Sequence, residues 1–495
     1  MADAALCPGV AETHTGLVVF VGDLAYKVKK PVVTDFLDFS THAYRERACL
    51  HEVELNCRLA PDSYLGIGHF QPPRPGAAPE PVIVMRRHPD ECRLAGMVRR
   101  GEDVSEPLAA IAAVLARFHA GAHRGSEVDE QASVDAVTGR WRENLAELDR
   151  YAAGAVPGVD PVVVADVGRR ALGFLAGRAE LFAERINGQR IVDGHADLLA
   201  DDIFCLPEGP ALLDCLEFDD LLRYVDGVDD AAFLAMDLEF LGRPDLGAFF
   251  LRRYLELAAD DAPESLRHFY IAYRAVVRAK VECVRYTQGH AESADDARHH
   301  LQIALEHLRT GSVRLILIGG AAGTGKSTLA RALSEELAAQ VISTDDVRAQ
   351  MAARGEITGE SGVLGEGLYT PENIEAVYDA VLGQARRGLS RGRTVILDGT
   401  WSDPRQRQRA REAAGHSALA EFACVASLDE TVARIRTRTG TTSQVTPDIA
   451  TALAHRDHDH SSWPEAHRID TTRDLSESVT EVLDICVSPV ERRAL

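Results

Sequence analysis

The sequence is almost without lysine: of 54 basic residues among 495, five are lysine, at positions 27, 29, 30, 280 and 326, and the other 49 are arginine. A compact ammonium that reaches between phosphates is the role arginine's planar fork fills badly. Four of the five lysines fall in two segments that have the pattern of phosphate-handling sites. There is no C-x-x-C pair, and the nine cysteines (7, 49, 57, 92, 205, 215, 283, 424 and 486) are odd in number. A disulfide framework is thereby excluded in a chain large enough not to need staples, and the cysteines read as buried small apolar residues. No cationic start followed by an apolar stretch occupies Met1 to Val10, and no uncharged run approaches the ~18 residues that span a bilayer. A soluble, cytoplasmic protein with no membrane partner is expected. Positive charge is also short, 54 basic against 76 acidic residues, and the net charge of −22 opposes non-specific attachment to nucleic acid or anionic membrane. It leaves protein partners undefined.

What is present is ordinary globular composition, 46% hydrophobic and 26% charged, over more length than one core usually organises. Two domains are expected, 1–308 (a small lobe of about 1–90, a helical lobe of about 91–308) and 312–495, with the polar stretch from Gly289 to Ser312 as the boundary. Residues 312–495 hold 21 basic and 26 acidic residues, which leaves 33 and 50 for the rest, so the acidity sits mostly in the first part.

The C-terminal part alternates short apolar strands (Leu315 to Ile318, Gln340 to Ser343, Thr394 to Leu397, Glu421 to Ala426, Arg468 to Asp470) with helical patterns, one opened by Thr370 and Pro371. That rhythm predicts a doubly wound parallel sheet. The N-terminal part opens on a hairpin signature, Leu17 to Val21, Gly22-Asp23, Ala25 to Val28. Helices then dominate from about Ser105 to His307, interrupted by a β-like stretch from Ile191 to Asp214.

Between the first C-terminal strand and a helix predicted from Thr328 to Leu337 stands G-x-x-x-x-G-K-[ST]: Gly320, Ala321, Ala322, Gly323, Thr324, Gly325, Lys326 and Ser327. Glycines let such a loop turn tightly and aim successive N–H groups at phosphates, and the helix start adds its positive end. Lys326 would reach the β and γ phosphates, the Ser327 hydroxyl would hold magnesium, and Thr328 completes the nucleotide-binding stretch. The third strand delivers Asp398, placed to hold the magnesium hydration shell. The second ends in Ser343-Thr344-Asp345-Asp346-Val347-Arg348, where Asp345 can accept a hydroxyl proton and Arg348 can clamp the acceptor. Arg434, Arg436 and Arg438 follow the fourth strand, and Arg434 with Arg438 is placed to neutralise charge on a transferring phosphoryl group.

These strings (GAAGTGKS, STDDVR, VILDGTW and the R-x-x-x-R of 434 to 438) resemble P-loop kinases of the polynucleotide kinase, zeta toxin and chloramphenicol phosphotransferase type, over most of 312–495. The resemblance implies that Asp345 acts on the acceptor hydroxyl with Arg348 beside it. The family's lid more often continues Ser-Asp, where this chain has Ser443-Gln444.

In the N-terminal part, Lys27 follows the hairpin turn and a later helical stretch carries Glu46, Glu52 and Glu54. A strand lysine paired with a helix glutamate holds α and β phosphates in kinase-like folds. Then come Asp197, Asp202 five residues on, and Asp214 after the apolar Leu212-Leu213, in the order of a base and two metal carboxylates. With the strings THTGLVVFVGDLAYKVKKP and LDFSTHAYRERACLHEVELNCRLAPDSYLG, residues 10 to 290 resemble aminoglycoside phosphotransferase-like enzymes, and the two halves together resemble bifunctional bacterial proteins that join such a domain to an AAA-type P-loop kinase. The likeness implies a protein-kinase-like two-lobe α+β domain followed by a P-loop NTPase domain. It implies nucleotide binding by Lys27 and Glu52, Asp197 as base, magnesium at Asp202 and Asp214, and ATP as the phosphoryl donor. The net acidity, and Asp345 with Arg348, point to a small hydroxylated acceptor. Position 202 is Asp where the family pattern has Asn, position 199 is Leu where His is frequent, and no G-x-G-x-x-G loop is present.

Overall fold

The computed structural model describes residues 9–12, 16–32, 38–71, 78–360, 366–437 and 463–487. Two compact units emerge, one of residues 1–168, 182–262 and 269–307, the other of 169–181, 263–268 and 308–495.

In the first unit, β1 (Gly9–Glu12), β2 (Gly16–Val21), β3 (Leu24–Lys29), β4 (Tyr64–Phe70) and β5 (Glu80–Arg86) form an antiparallel sheet in the order β1-β2-β3-β5-β4. The Gly22-Asp23 turn joins β2 to β3, with Val21 opposite Leu24. On β3 the period of two sends Ala25, Lys27 and Lys29 to the buried face, so a core-facing row ends in two lysines. The helix α1 (His42–Asn56) starts at Thr41, whose hydroxyl caps Tyr44 N–H. Its buried positions, Arg45, Cys49, Glu52, Leu55 and Asn56, recur at helical spacing and put Glu52 on the inward stripe. Helix α2 (Ser105–Gly121) follows. After four further helices between residues 126 and 187 stand two short ribbons: β6 (Ile191–Asp193) with β9 (Tyr224–Asp226), and the hairpin β7 (Ile203–Leu206) with β8 (Gly209–Leu212). Helices α3 (Gly227–Phe240) and α4 (Pro244–Leu257) pack after them. Nearly every residue of α3 is buried, including the first-turn acids Asp229 and Asp230.

In the second unit, β10 (Arg314–Gly319), β11 (Gln340–Ser343), β12 (Val395–Asp398), β13 (Ala418–Val425) and β14 (His467–Asp470) form an all-parallel sheet in the order β11-β12-β10-β13-β14. Among the described residues from 312 on, its helices include α5 (Lys326–Glu336), α6 (Thr344–Ala353), α7 (Pro371–Ser390), α8 (Pro404–Ala414), α9 (Leu428–Thr437) and α10 (Leu475–Val487). Alternation along the strands sorts them onto two faces. Leu315, Leu317, Val395 and Leu397 pack with α6, α7 and α8 residues such as Val347, Val377 and Ala410. Ile316, Ile318, Ile396 and Phe422 pack with Leu329 and Leu333 of α5 and Val482 of α10. A parallel sheet covered on both faces puts its loops, and any ligand, at the strands' carboxyl ends. Thr370 caps α7 through Asn373 N–H, with Pro371 at the first position.

The segment around residues 289–312 carries a helix, Ser293–Thr310, which continues the expected helical run; Ala294, Ala297, Leu301, Ala304 and Leu308 bury a 3–4 spaced stripe among its charges. One expectation changes. The helix after the glycine-rich loop begins at Lys326, two residues before Thr328, since Gly325 in the left-handed region serves as its cap.

Candidate active sites

The C-terminal site forms where β10 and β12, neighbours in the sheet, both end. Gly320 to Gly325 turn between β10 and α5. At Gly323, φ is +82°, and a Cβ would stand 2.8 Å from the Thr431 methyl and 2.9 Å from its carbonyl oxygen. Gly323→Ala is therefore expected to strain the loop by about 1–2 kcal/mol from backbone conformation alone; an ATP titration against wild type should show weaker binding. Lys326 folds back over the turn, its Nζ donating to Ala321 O at 2.7 Å. Thr324 closes the loop internally through Oγ1 to the same carbonyl, at 2.8 Å.

Beneath the lysine, Ser327 Oγ donates to Asp398 Oδ2 at 2.6 Å. Asp398 is 4% exposed. Burial pushes its carboxyl above the usual carboxylate range, against the pull of Lys326 and the Ser327 hydroxyl. At the neighbouring strand end, Ser343 caps α6, accepting from the N–H groups of Asp345 and Asp346. Asp345 is thus released from a capping role, and its Oδ1 accepts from Arg348 Nη1 at 2.6 Å. Arg348 is buried against Tyr369, 4.5 Å from the ring centre, and among the described residues its Nε has no partner. Arg434 reaches Thr471, with Nη2 to the carbonyl at 2.7 Å, and the Thr471 hydroxyl in turn donates to Thr324 O at 2.7 Å. Arg434 therefore sits beside the glycine-rich loop. Arg438 lies outside the described residues, as do Ser443 and Gln444.

Sequence reasoning missed Thr471, which ties Arg434 to the loop, and Trp463, whose ring covers Gly319 and whose Nε1 donates to buried Glu421 at 2.7 Å. On α8, Arg405 is exposed, whereas Arg407 is buried, its guanidinium 5.1 Å from the Trp463 ring centre, and donates to Trp401 O at 2.8 Å.

The N-terminal site lies within the first unit. Of the three helix glutamates, Glu52 is the one that meets Lys27, with Oε1 at 2.8 Å from Nζ. Lys27 also pairs with Asp214 at 2.5 Å. Asp214 has φ +63° and its N–H donates to the Tyr64 hydroxyl at 3.3 Å. Burial opposes ionisation of Asp214, but Lys27 outweighs it and holds the carboxyl below the ordinary range. Burial pushes Asp197 up to about 6, with Asp214 adding repulsion and Arg278 opposing. Asp202 is driven well above the ordinary range by burial and by the same two carboxylates, Asp214 and Asp197. Three acids, Asp197, Asp202 and Asp214, thus share one electrostatic environment with Lys27.

The loop that carries Asp197 is held from below by Asp230, which sequence reasoning did not single out. Asp230 Oδ2 accepts from His195 N–H and Oδ1 from Ala196 N–H, both at 2.7 Å, and His119 Nε2 lies 2.9 Å from Oδ2. Gly194 permits the approach: a Cβ there would stand 2.5 Å from Asp230 Oδ2. His119 is the core histidine its apolar helix face suggests, satisfied on its other nitrogen by the Tyr254 hydroxyl at 2.8 Å. Arg274, paired with Asp229, donates to Ala196 O at 3.2 Å.

Among the described residues no three His, Cys, Asp or Glu side chains lie close enough to hold a metal ion unaided. Ser327 with Asp398, and Asp202 with Asp214, offer hard oxygen donors in pairs, which suits magnesium that draws its remaining ligands from phosphates and water. Among the described residues, no helix is long and apolar enough to cross a membrane.

A glycine-rich turn between β10 and α5, a hydroxyl paired to a strand-end aspartate, and a β11-β12-β10-β13-β14 parallel order define the second unit as a P-loop domain; an AAA-domain family model matches residues 315–457. The whole chain is 56% identical over 487 residues to the uncharacterized protein Rv2004c of Mycobacterium tuberculosis (strain ATCC 25618 / H37Rv), covering 97% of this chain and 96% of the relative. The same values hold for the uncharacterized protein Mb2027c of Mycobacterium bovis (strain ATCC BAA-935 / AF2122/97). The chain belongs to the family of these proteins. Similarity to solved structures is more distant. A gluconokinase from Sinorhizobium meliloti 1021 is 20% identical, covering 35% of this chain and 90% of that one, with a TM-score of 0.27. A choline/ethanolamine kinase family protein from Mesorhizobium loti is 13% identical, covering 62% and 94%, with a TM-score of 0.38.

Proposed function

We propose that the protein is an ATP-dependent phosphotransferase that moves the γ-phosphate to a hydroxyl of a small molecule, with the loop 320–327 as its principal nucleotide site. The observation that carries this reading is the Ser327–Asp398 contact at 2.6 Å directly under the Lys326 turn. Magnesium, when bound with the nucleotide, would neutralise charge between the β and γ phosphates. Lys326 and the loop amides would grip the phosphate tail, exchanging the Ala321 carbonyl for phosphate oxygens. Asp345 would take the acceptor's proton, Arg348 would keep that carboxylate oriented, and Arg434 would face the charge that develops during transfer, with Arg438 completing the pair.

The reading of the N-terminal half is a second phosphotransferase site. Lys27 and Glu52 would hold the nucleotide, Asp197 would act as base, and Asp202 and Asp214 would hold the cation. A nucleotide-sensing role is the competing reading for this half. It is favoured by the direct Lys27–Asp214 ion pair, which occupies both groups at once.

A small acceptor is supported over a polynucleotide by the state of α8. Arg405 pairs with Asp403, Arg409 with Glu375 and Asp379, Arg411 with Glu421, and Arg407 donates to main-chain carbonyls. Paired arginines present little net positive field to a phosphodiester backbone.

The test is ATP consumption by wild type, Lys326→Ala and Asp197→Asn against sugars, aminoglycosides, nucleosides and short oligonucleotides. Small-molecule turnover silenced by Lys326→Ala is the expected result, and the response to Asp197→Asn assigns the other half. ATP bound but never consumed would favour the sensor, and oligonucleotide phosphorylation that declines steeply with salt would replace the small acceptor with a 5′-hydroxyl end.

A further inference from the structure

The N-terminal site contains more charge than a nucleotide-binding lysine and its glutamate require. Asp214, Lys27, Glu52, Lys29 and Glu217 form one chain of alternating sign. The successive N···O distances are 2.5, 2.8, 2.5 and 2.5 Å. Glu52 is fully buried and gives one oxygen to each lysine, while Lys29 is 2% exposed. Burying such a row is costly, and apolar residues of similar volume would fill the space at no loss of stability. Its placement suggests what it is for. Lys27 and Lys29 stand two apart on the buried face of β3, and Asp214 and Glu217 stand three apart on the segment that follows β8. The row therefore makes two parallel links between one strand and one segment.

Resting on the reading of this half as a nucleotide site, we propose that Lys29 and Glu217 are positioning residues: their ion pair keeps the Asp214 segment in register with β3 when Lys27 exchanges Asp214 for a nucleotide phosphate. Arrival of a phosphate would break the first link, because Lys27 cannot serve Asp214 and an incoming anion equally. The second link touches neither phosphate nor cation and stays closed. By also sharing Glu52, Lys29 loosens that carboxylate's hold on Lys27. The segment that must then present a carboxylate to the cation would thus remain fixed at the distance the nucleotide requires, as outer partners do for metal ligands.

The experiment uses the full chain carrying Lys326→Ala, so that the P-loop does not mask the other site. Binding of ATP is measured calorimetrically with magnesium and again in chelator. Glu217→Gln is expected to weaken magnesium-ATP binding on the order of tenfold, to leave metal-free ATP binding unchanged, and to be largely rescued by Glu217→Asp. Equal losses with and without magnesium, unrescued by Asp, would reduce the pair to a fold-stabilising contact and overturn the proposal. So would parent-like binding by Glu217→Gln while Lys27→Ala abolishes it, in which case the nucleotide reading survives. Full binding by Lys27→Ala instead removes that reading, and the tether's role falls with it.

Discussion

Asp398→Asn should abolish most ATP consumption, on the order of a hundredfold, while leaving the P-loop domain as stable as wild type or more so. Asparagine keeps the shape and still offers one oxygen to the Ser327 hydroxyl, so packing at the end of β12 is preserved. What disappears is a negative charge in a buried place. Burial raises the Asp398 carboxyl above its ordinary value in spite of Lys326 and Ser327. An acid whose folded-state pKa is raised binds its proton more readily folded than unfolded, so at neutral pH its ionised form works against folding. Natural chains keep such a group where function needs it. Thermal unfolding without nucleotide or divalent cation, set beside ATP consumption with both, separates the two effects. A variant that melts earlier yet still turns over ATP would make Asp398 a structural turn residue and undercut the phosphotransferase proposal.

The parts of these sites that could be read from sequence are those in which chemistry is contiguous with secondary structure. The turn from β10 into α5 is a single string, and its glycines, lysine and serine announce themselves because strand, loop and helix are successive. The β3 lysines stand out against a sequence that has replaced lysine nearly everywhere else. Glu52 was one of three helix glutamates, and the structure separates them by a purely geometric property, the side of α1 that is buried. The rest was hidden by distance along the chain. Glu217 meets Lys29 across 188 positions and Thr471 meets Thr324 across 147. Asp230 looks in sequence like an acid favouring a helix N-terminus, as first-turn acids ordinarily do. Arginines alternating along a helix ordinarily spread over an exposed surface, and the ring that covers Arg407, that of Trp463, is supplied from the far side of β13 in sequence. Local patterns reveal which groups a fold presents; tertiary contact decides which of them are held still.

Asp230→Ala is expected to be among the most damaging substitutions in the first unit, though it touches no candidate substrate. The carboxylate is fully buried and accepts the main-chain N–H groups of His195 and Ala196 while facing His119 Nε2. Alanine leaves two amides and an imidazole without an acceptor in a space water does not reach, a loss of about 3–5 kcal/mol by analogy with broken buried pairs. Asparagine does little better, because its NH2 group would be forced against an N–H donor. The dependence on pH has a definite sign. Burial alone would raise the Asp230 carboxyl, but His119, His195 and the donated amide hold it below the ordinary carboxylate range. A depressed folded-state pKa contributes stability above the unfolded value of about 4 and loses it as pH falls through the folded value. Wild type should therefore shed this contribution in acid, and Asp230→Ala should lack that part of the acid dependence. Amide exchange of peptides covering 193–202, read by mass spectrometry across pH, reports the effect where it originates. Because Asp197 follows Ala196 directly, exchange there should rise first, and any activity assigned to Asp197 should fall further than loss of folded protein explains. Wild-type protection in the alanine variant would mean that the loop is held by Arg274 and its own turns, and that Asp230 only fills space beneath it.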